Sequence, residues 1–386
     1  MDAFQAGSIY EPYWNFEAGN TAMNVRLGKE APRRILLVAT RRIGDVLLTT
    51  PLIRSLRQAW PDAAIDALVF EGAQGFLLNN PDLREIITVP YRPSLTRHLA
   101  LLGRLARRYD LALSTLTSDR AVLYAWIAGR RRVGFLDPAA KHAWKRHLLS
   151  DWVAFDNRDT HTVLMNLQLA GALGIARDYQ VVVGWNRADA DALASYLPFD
   201  PHAERYAVLH PYPKFPYKMW HAAGWAALVH WLCAQEMRCV LTGSAAPDEL
   251  AYVETIRKQL PASAVNIAGK LTLGQSALLI SRARLYVGPD TALTHAAAAV
   301  GTPTVAIYGP SNPVKWGPWP HGYAQDRNPY QLRGSQQVGN VFLLQGDGDC
   351  VPCMEEGCDR HIASYSRCLQ QMSADKVIAA ARSLLA

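Results

Sequence analysis

Apolar residues along the chain fall into short unbroken runs, separated by longer stretches in which they recur every three to four positions. The first run is residues 34–39 (RILLVA), followed by the Gly-containing turn 41–45 (RRIGD) and then by VLLTTPLIRSLRQAW, which carries the longer spacing. An unbroken apolar run suits a parallel strand covered on both faces, and the longer period suits a helix with one buried face. Strand, turn and helix open a βαβ unit, and a second strand at 65–70 follows the Pro61-Asp62 turn as a right-handed crossover requires. Further strands are expected at 85–89, 111–114 and 132–135, alternating with helices to about residue 180.

The Pro-containing stretch 197–201 reads as a linker. The pattern then restarts, with strands at 206–210, 238–242, 264–267, 285–287 and 304–308 and helices at 222–235, 248–259, 274–282 and 291–300. A closing helix at 375–385 is expected to pack back across the first domain. The expected fold class is α/β, with two doubly wound, Rossmann-like domains facing a central cleft, where ligands meet the carboxyl ends of the strands. Residues 1–32 form an extension, 33–197 the first domain, 198–349 the second, and 350–386 a cysteine-containing tail with the closing helix.

A length of 386 residues, half of them apolar, suits two cores rather than one. The longest apolar runs, such as 99–102 and 296–300, fall far short of the roughly 20 residues that cross a bilayer. The N-terminal stretch carries acids and lacks a basic segment followed by an apolar one, so no secretory signal is expected and a cytoplasmic location is. Charge is uneven. Residues 84–147 hold thirteen Arg or Lys against four acids, a local +9 in a chain of +7. Basic residues interleaved with Leu, Trp and Tyr, as in RHLALLGRLARRY, suit peripheral contact with an anionic membrane or a phosphorylated acceptor; a solvated helix face is the plainer alternative. No nucleic-acid-binding motif accompanies the charge, so nucleic acid is not an expected partner.

Three groups of residues carry candidate chemistry. In the first turn, Gly44 permits a tight turn with close backbone approach, and Asp45 either projects into the cleft or caps its helix. In GPDTALTH, residues 288–295, the helix start at Thr291 and Ala292, aided by the Thr291 and Thr294 hydroxyls, would form an anion site suited to a diphosphate, with Asp290 and His295 beside it. The loop after residue 210 offers Lys214 and Lys218 to phosphate oxygens, while Tyr212, Trp220 and Trp316 are candidates for stacking on a base or sugar. Gly243, Ser244 and the acids Asp248 and Glu249 follow the next strand, where either acid could accept from ribose hydroxyls. Arg41 and Arg42, with Arg120 from the basic stretch, are candidate acceptor contacts.

RRIGDVLLTTPLIRSLRQAWP, the KMW loop, GSAAPDE and above all GPDTALTHAAAAVGTPTVAIYGPSNPVKWGPW together resemble glycosyltransferase family 9, the ADP-heptose:lipopolysaccharide heptosyltransferases, over roughly residues 33–386. The resemblance implies the GT-B fold and inversion at the anomeric carbon without a catalytic metal. It implies an ADP-sugar donor in the second domain and a lipid-linked core oligosaccharide acceptor in the first. By motif, Asp45 is implied to be the catalytic base, Lys218 the phosphate-binding lysine, and Asp290, Thr291 and His295 donor-site residues. Two arginines precede Ile-Gly-Asp where many members carry small polar residues. A heptosyltransferase acting on Ser or Thr of a protein, a GT-B-shaped epimerase and a non-catalytic sugar-binding protein are the alternatives.

Four of the six cysteines, Cys350, Cys353, Cys358 and Cys368, cluster before the last helix. Such grouping suggests a structural zinc or iron rather than disulfides, although the spacing is not that of a zinc ribbon. Cys233 and Cys239 read as core thiols.

Overall fold

The computed structural model describes residues 30–137 and 140–386; most of the N-terminal extension, residues 1–29, lies outside them. The first domain is built on six parallel strands, β1 (Arg34–Val38), β2 (Ala64–Phe70), β3 (Glu85–Val89), β4 (Tyr109–Ser114), β5 (Gly129–Leu136) and β6 (Asp151–Ala154). Their spatial order is β3-β2-β1-β4-β5-β6, so the sheet reverses direction between β1 and β4. Helices α1 (Ile43–Leu47), α2 (Thr50–Ala59), α3 (Leu95–Leu105), α4 (Asp119–Ala128) and α5 (Thr162–Ala172) cover it. The helical pattern expected after residue 45 is thus broken in two at Leu48-Thr49, where the Thr49 hydroxyl donates back to the Val46 carbonyl (2.7 Å) and Pro51 opens the second segment.

The second domain repeats the plan. After α6 (Arg187–Tyr196) come β7 (Tyr206–Leu209), α7 (Ala222–Ala234), β8 (Arg238–Leu241), α8 (Pro247–Arg257), β9 (Val265–Asn266), α9 (Leu273–Ser281), β10 (Leu285–Pro289), α10 (Ala292–Ala299) and β11 (Thr304–Tyr308). Then follow α11 (Pro313–Trp316), β12 (Gln336–Val338), β13 (Val341–Gln345), α12 (Arg367–Gln370) and α13 (Ala374–Leu385). The sheet order is β12-β13-β11-β10-β7-β8-β9, all parallel except the edge hairpin β12-β13. This sheet reverses between β7 and β10, and each reversal opens a crevice at the carboxyl ends of the strands.

Two readings of the sequence are corrected. Helix α13 packs on α7 and on strands of the second sheet, not on the first domain, because Val377, Ala380 and Ala381 complete the apolar cluster formed by Trp225, Leu228 and Leu344. Leu197 and Phe199, in the stretch read as a linker, are buried against Tyr206 in the second domain's core, and α6 already packs on α9. The two domains share that core, for Leu47, Leu48 and Leu164 of the first join Leu293 and Ala296 of the second. No helix among the described residues is long and apolar enough to cross a membrane.

Candidate active site

Strand β1 delivers Asp45 to the switch point of the first sheet, and β10 delivers Asp290 to that of the second. Between them helix α1 meets helix α10 across the cleft. A side-chain carbon built on Gly44 would stand 3.4 Å from His295 Cδ2 and 3.6 Å from Ala292 Cα. The close approach that Gly44 allows is therefore to the partner domain's helix. Asp45 does not cap α1: its carboxylate accepts no hydrogen bond from the described residues, and Arg41 is its ion-pair partner at 3.7 Å. Burial raises the Asp45 carboxyl above the ordinary carboxylate range; Arg41, Arg42 and Lys218 oppose the rise, and Asp290 adds to it.

Lys218 sits in the 3-10 turn Pro216–Lys218, where it donates to the Asp290 carboxylate. Ser311 Oγ (2.6 Å) and Tyr308 OH (3.3 Å) donate to the same carboxylate, and His295 Nε2 stands 4.0 Å from it. Burial pushes Asp290 up, but Lys218, His295 and these donors outweigh it and hold the carboxyl below the ordinary range. Burial also lowers His295 to about 4, so its ring is neutral at pH 7, and its Nδ1 has no partner among the described residues.

Thr291 occupies the N-cap of α10 without a capping bond, and its hydroxyl lies 3.2 Å from that of Thr294. Thr294 is fully buried, donates to the Pro289 carbonyl and lies 3.1 Å from Tyr286 OH. Its hydroxyl is consequently spent inside the domain and does not serve the expected anion site. Trp220 is likewise corrected: it is fully buried, packed edge-on to Trp225, with Nε1 donating to Met372.

Of the remaining candidates, Tyr212 packs against Tyr252 (5.5 Å), and Lys214 is exposed beside Phe215. Ser244 donates to Glu249, which is buried and close enough to His210 to oppose the fall that burial causes in that imidazole. A side chain on Gly243 would collide with Glu249 Oε1 at 2.9 Å. Asp248 is exposed. Arg42 reaches across the cleft to lie 4.9 Å over the Phe215 ring. Arg120 lies further out, 4.5 Å over Phe70 and donating to the Tyr91 carbonyl (2.7 Å).

Motif reading missed Lys315. It comes from α11 of the second domain, yet lines a cavity with Arg41, Asp45, Thr115, Phe155, Asn166 and Trp316. The only advance sign was a charged residue inside the Gly/Pro-rich loop GPSNPVKWGPW.

The four tail cysteines gather without forming a metal cage. Cys350 and Cys358 are exposed, Cys358 Sγ accepts from the Arg367 amide (3.3 Å), and all six cysteines of the chain are free thiols. Burial, reinforced by Cys353, Cys358 and Cys350, pushes the Cys368 thiol up to about 11. Among the described residues no group of three or more His, Cys, Asp or Glu is arranged to hold a metal ion. The expected structural zinc or iron at Cys350, Cys353, Cys358 and Cys368 is therefore not supported, since these partly or fully exposed thiols are not arranged as a ligand set among the described residues.

The family model described as "Glycosyltransferase family 9 (heptosyltransferase)" matches residues 98–341. The chain belongs to glycosyltransferase family 9. Lipopolysaccharide heptosyltransferase 3 of Escherichia coli is 28% identical over 293 residues, covering 73% of this chain and 85% of that protein. Among solved structures, the family 9 glycosyltransferase of Veillonella parvula superposes with a TM-score of 0.73 at 21% identity, covering 92% and 97% of the two chains. The E. coli heptosyltransferase WaaC with ADP superposes with a TM-score of 0.69 at 20% identity, covering 91% and 99%. The architecture of this family 9 enzyme is thus GT-B, and its relatives by sequence are heptosyltransferases of lipopolysaccharide synthesis.

Proposed function

We propose that this glycosyltransferase moves a heptosyl unit from ADP-heptose to a hydroxyl of the lipopolysaccharide inner core, inverting the anomeric centre. The observation that carries the reading is the facing arrangement of Asp45 and the Lys218–Asp290 pair across the cleft, each within the other's electrostatic reach. An acceptor hydroxyl attacking the anomeric carbon must lose its proton, and Asp45, raised by burial but free of strong partners, is the base that takes it.

The leaving diphosphate gathers negative charge as the glycosidic bond breaks. Lys218 carries three donors, of which Asp290 fixes one, so the others are free for phosphate oxygens. The amides at the start of α10, at Thr291 and Ala292, add their dipoles. This charge inventory serves the departing group without a divalent cation. His295, neutral and with Nδ1 unpaired, contributes a ring nitrogen to the same wall. Glu249, held by Ser244 beside Gly243, is assigned to ribose hydroxyls, and Tyr212 and Lys214 to the adenosine side of the donor. Arg41, Arg42 and Arg120 are assigned to the acceptor.

A cytoplasmic enzyme peripheral to the inner membrane fits the first domain's surface. Tyr91 and Leu95 are 70% and 73% exposed, Leu99 and Trp126 are exposed on neighbouring helices, and Arg92, Arg97 and Arg104 are exposed along the same stretch. Exposed apolar side chains in an arginine-rich stretch suit an anionic lipid interface. The donor assignment is tested by calorimetric titration with ADP, UDP, GDP and CMP. ADP is expected to bind most tightly; tighter binding of another nucleotide contradicts it.

A further inference from the structure

The cavity beside Asp45 holds a buried cation that forms no direct ion pair among the described residues. The Lys315 side chain is 2% exposed, its ammonium lies 4.9 Å over the Phe155 ring, and its only hydrogen bond among the described residues is to the Asp156 carbonyl (2.7 Å). No carboxylate among the described residues pairs with it. The Asp156 carboxylate turns instead to the amides of Arg158 and Asp159 and to the Thr160 hydroxyl. A buried ammonium without a direct ion pair is costly, for Asp156 and Asp45 act on it only at a distance, and two of its three donors are unspent among the described residues.

Its position is not accidental. Four contacts pin the loop that carries it onto the first domain. Asn312 Nδ2 donates to the Arg158 carbonyl (2.8 Å) and Thr162 Oγ1 to that of Lys315 (3.0 Å). His161 Nδ1 accepts from the Val163 amide (3.1 Å), so Nε2 carries the proton and donates to the Gly317 carbonyl (2.7 Å). The Asn328 side chain closes the strap by donating to the Asp159 carbonyl (2.7 Å). The second domain thereby inserts a cation into a cavity whose other charges are Arg41 and Asp45.

We propose that Lys315 is an anion-recognition residue of the acceptor cavity, taking a carboxylate or phosphate oxyanion that the acceptor carries near the hydroxyl presented to Asp45. The inference rests on the acceptor reading given above. It adds that specificity for a charged acceptor is supplied from the donor domain, so that acceptor recognition requires the two domains to be joined. Burial, reinforced by Arg41, lowers the Lys315 ammonium to about 8 against the pull of Asp156 and Asp45, and an oxyanion between Lys315 and Arg41 reverses that loss.

The test is calorimetric titration of the ADP-saturated full chain with a deacylated inner-core oligosaccharide in three forms: native, with its carboxylates esterified, and with its phosphates removed. Lys315→Met is expected to weaken binding of the native form about tenfold, the scale of one charge-assisted hydrogen bond. Lys315→Gln, which retains a donor for the Asp156 carbonyl, is expected to show the same loss, and Lys315→Arg to retain most of the affinity. One of the two neutralised forms should bind wild type and Lys315→Met alike, and which form does so names the anion. ADP affinity is expected to be equal in all variants. Equal affinity of wild type, Lys315→Met and Lys315→Gln for the native form overturns the inference, as does a loss that persists with both neutralised forms. Wild type that binds ADP but no form of the oligosaccharide overturns the acceptor reading, and this inference with it.

Discussion

Lys218 and Asp290, separated by 72 residues, form an ion pair that joins the first loop of the second domain to the start of α10. Asp290 thus acts on the donor through the lysine that it orients. Asp290→Asn is expected to leave a largely buried ammonium unpaired, destabilising the fold by about 2 kcal/mol, less than a fully buried pair because the Lys218 side chain is 20% exposed. ADP affinity should fall about tenfold in the same variant. Thermal melts and calorimetry check both, and unchanged values in both refute the orienting role.

Asp45→Asn is expected to cut turnover by roughly 10² or more, the usual scale for a general base, with ADP affinity preserved. The base works ionised. Because burial raises the Asp45 carboxyl, activity should be lost as pH falls through a value above the ordinary carboxylate pKa of about 3.9. The same shift means that ionising Asp45 at neutral pH costs the folded state stability, so the variant should melt no lower than wild type at pH 7. An acid limb at the ordinary carboxylate value, or full turnover in the variant, contradicts the assignment.

Gly44 tests the contact between domains. Alanine places its carbon at 3.4 Å from His295, which small movements absorb, whereas valine extends further into Ala292 and His295. Gly44→Ala should retain most of the activity and Gly44→Val should lose at least tenfold. Equal rates in the two variants mean that α1 and α10 are not in contact during turnover.

Exposed Leu95 and Leu99, in a stretch of exposed arginines, predict co-sedimentation with vesicles that rises with anionic lipid and falls with salt, since exposed charges are screened beyond about 10 Å at 0.1 M. Leu95→Asp with Leu99→Asp should abolish it without altering the melting curve. Binding indifferent to salt sinks this proposal.

Most strands of both sheets were legible because parallel strands covered on two faces must be apolar throughout, as RILLV and TVAIY are, although β12 and the apolar β13 (VFLLQ) beyond residue 308 were not read. The short strand β6 (DWVA), with its alternating half-buried and exposed positions, gave no such run and was missed. Asp45, Lys218 and Asp290 were legible because they follow strand ends in glycine- or proline-bearing turns, where a carboxylate or lysine faces a crevice. Thr294 and Trp220 were misread because a motif fixes a residue's place in the chain but not which way its side chain points. Lys315 went unnoticed for the converse reason: its burial exists only once a loop of one domain is laid against the other.

Heptosyl transfer by the cleft between Asp45 and Lys218 is tested by incubating the full chain with ADP-heptose and a heptose-deficient lipopolysaccharide core, followed by mass spectrometry of the acceptor. The expected result is a gain of one heptosyl residue with release of ADP, absent in an Asp45→Asn protein that still binds ADP. No gain of mass with any core acceptor, or an undiminished gain with Asp45→Asn, contradicts it.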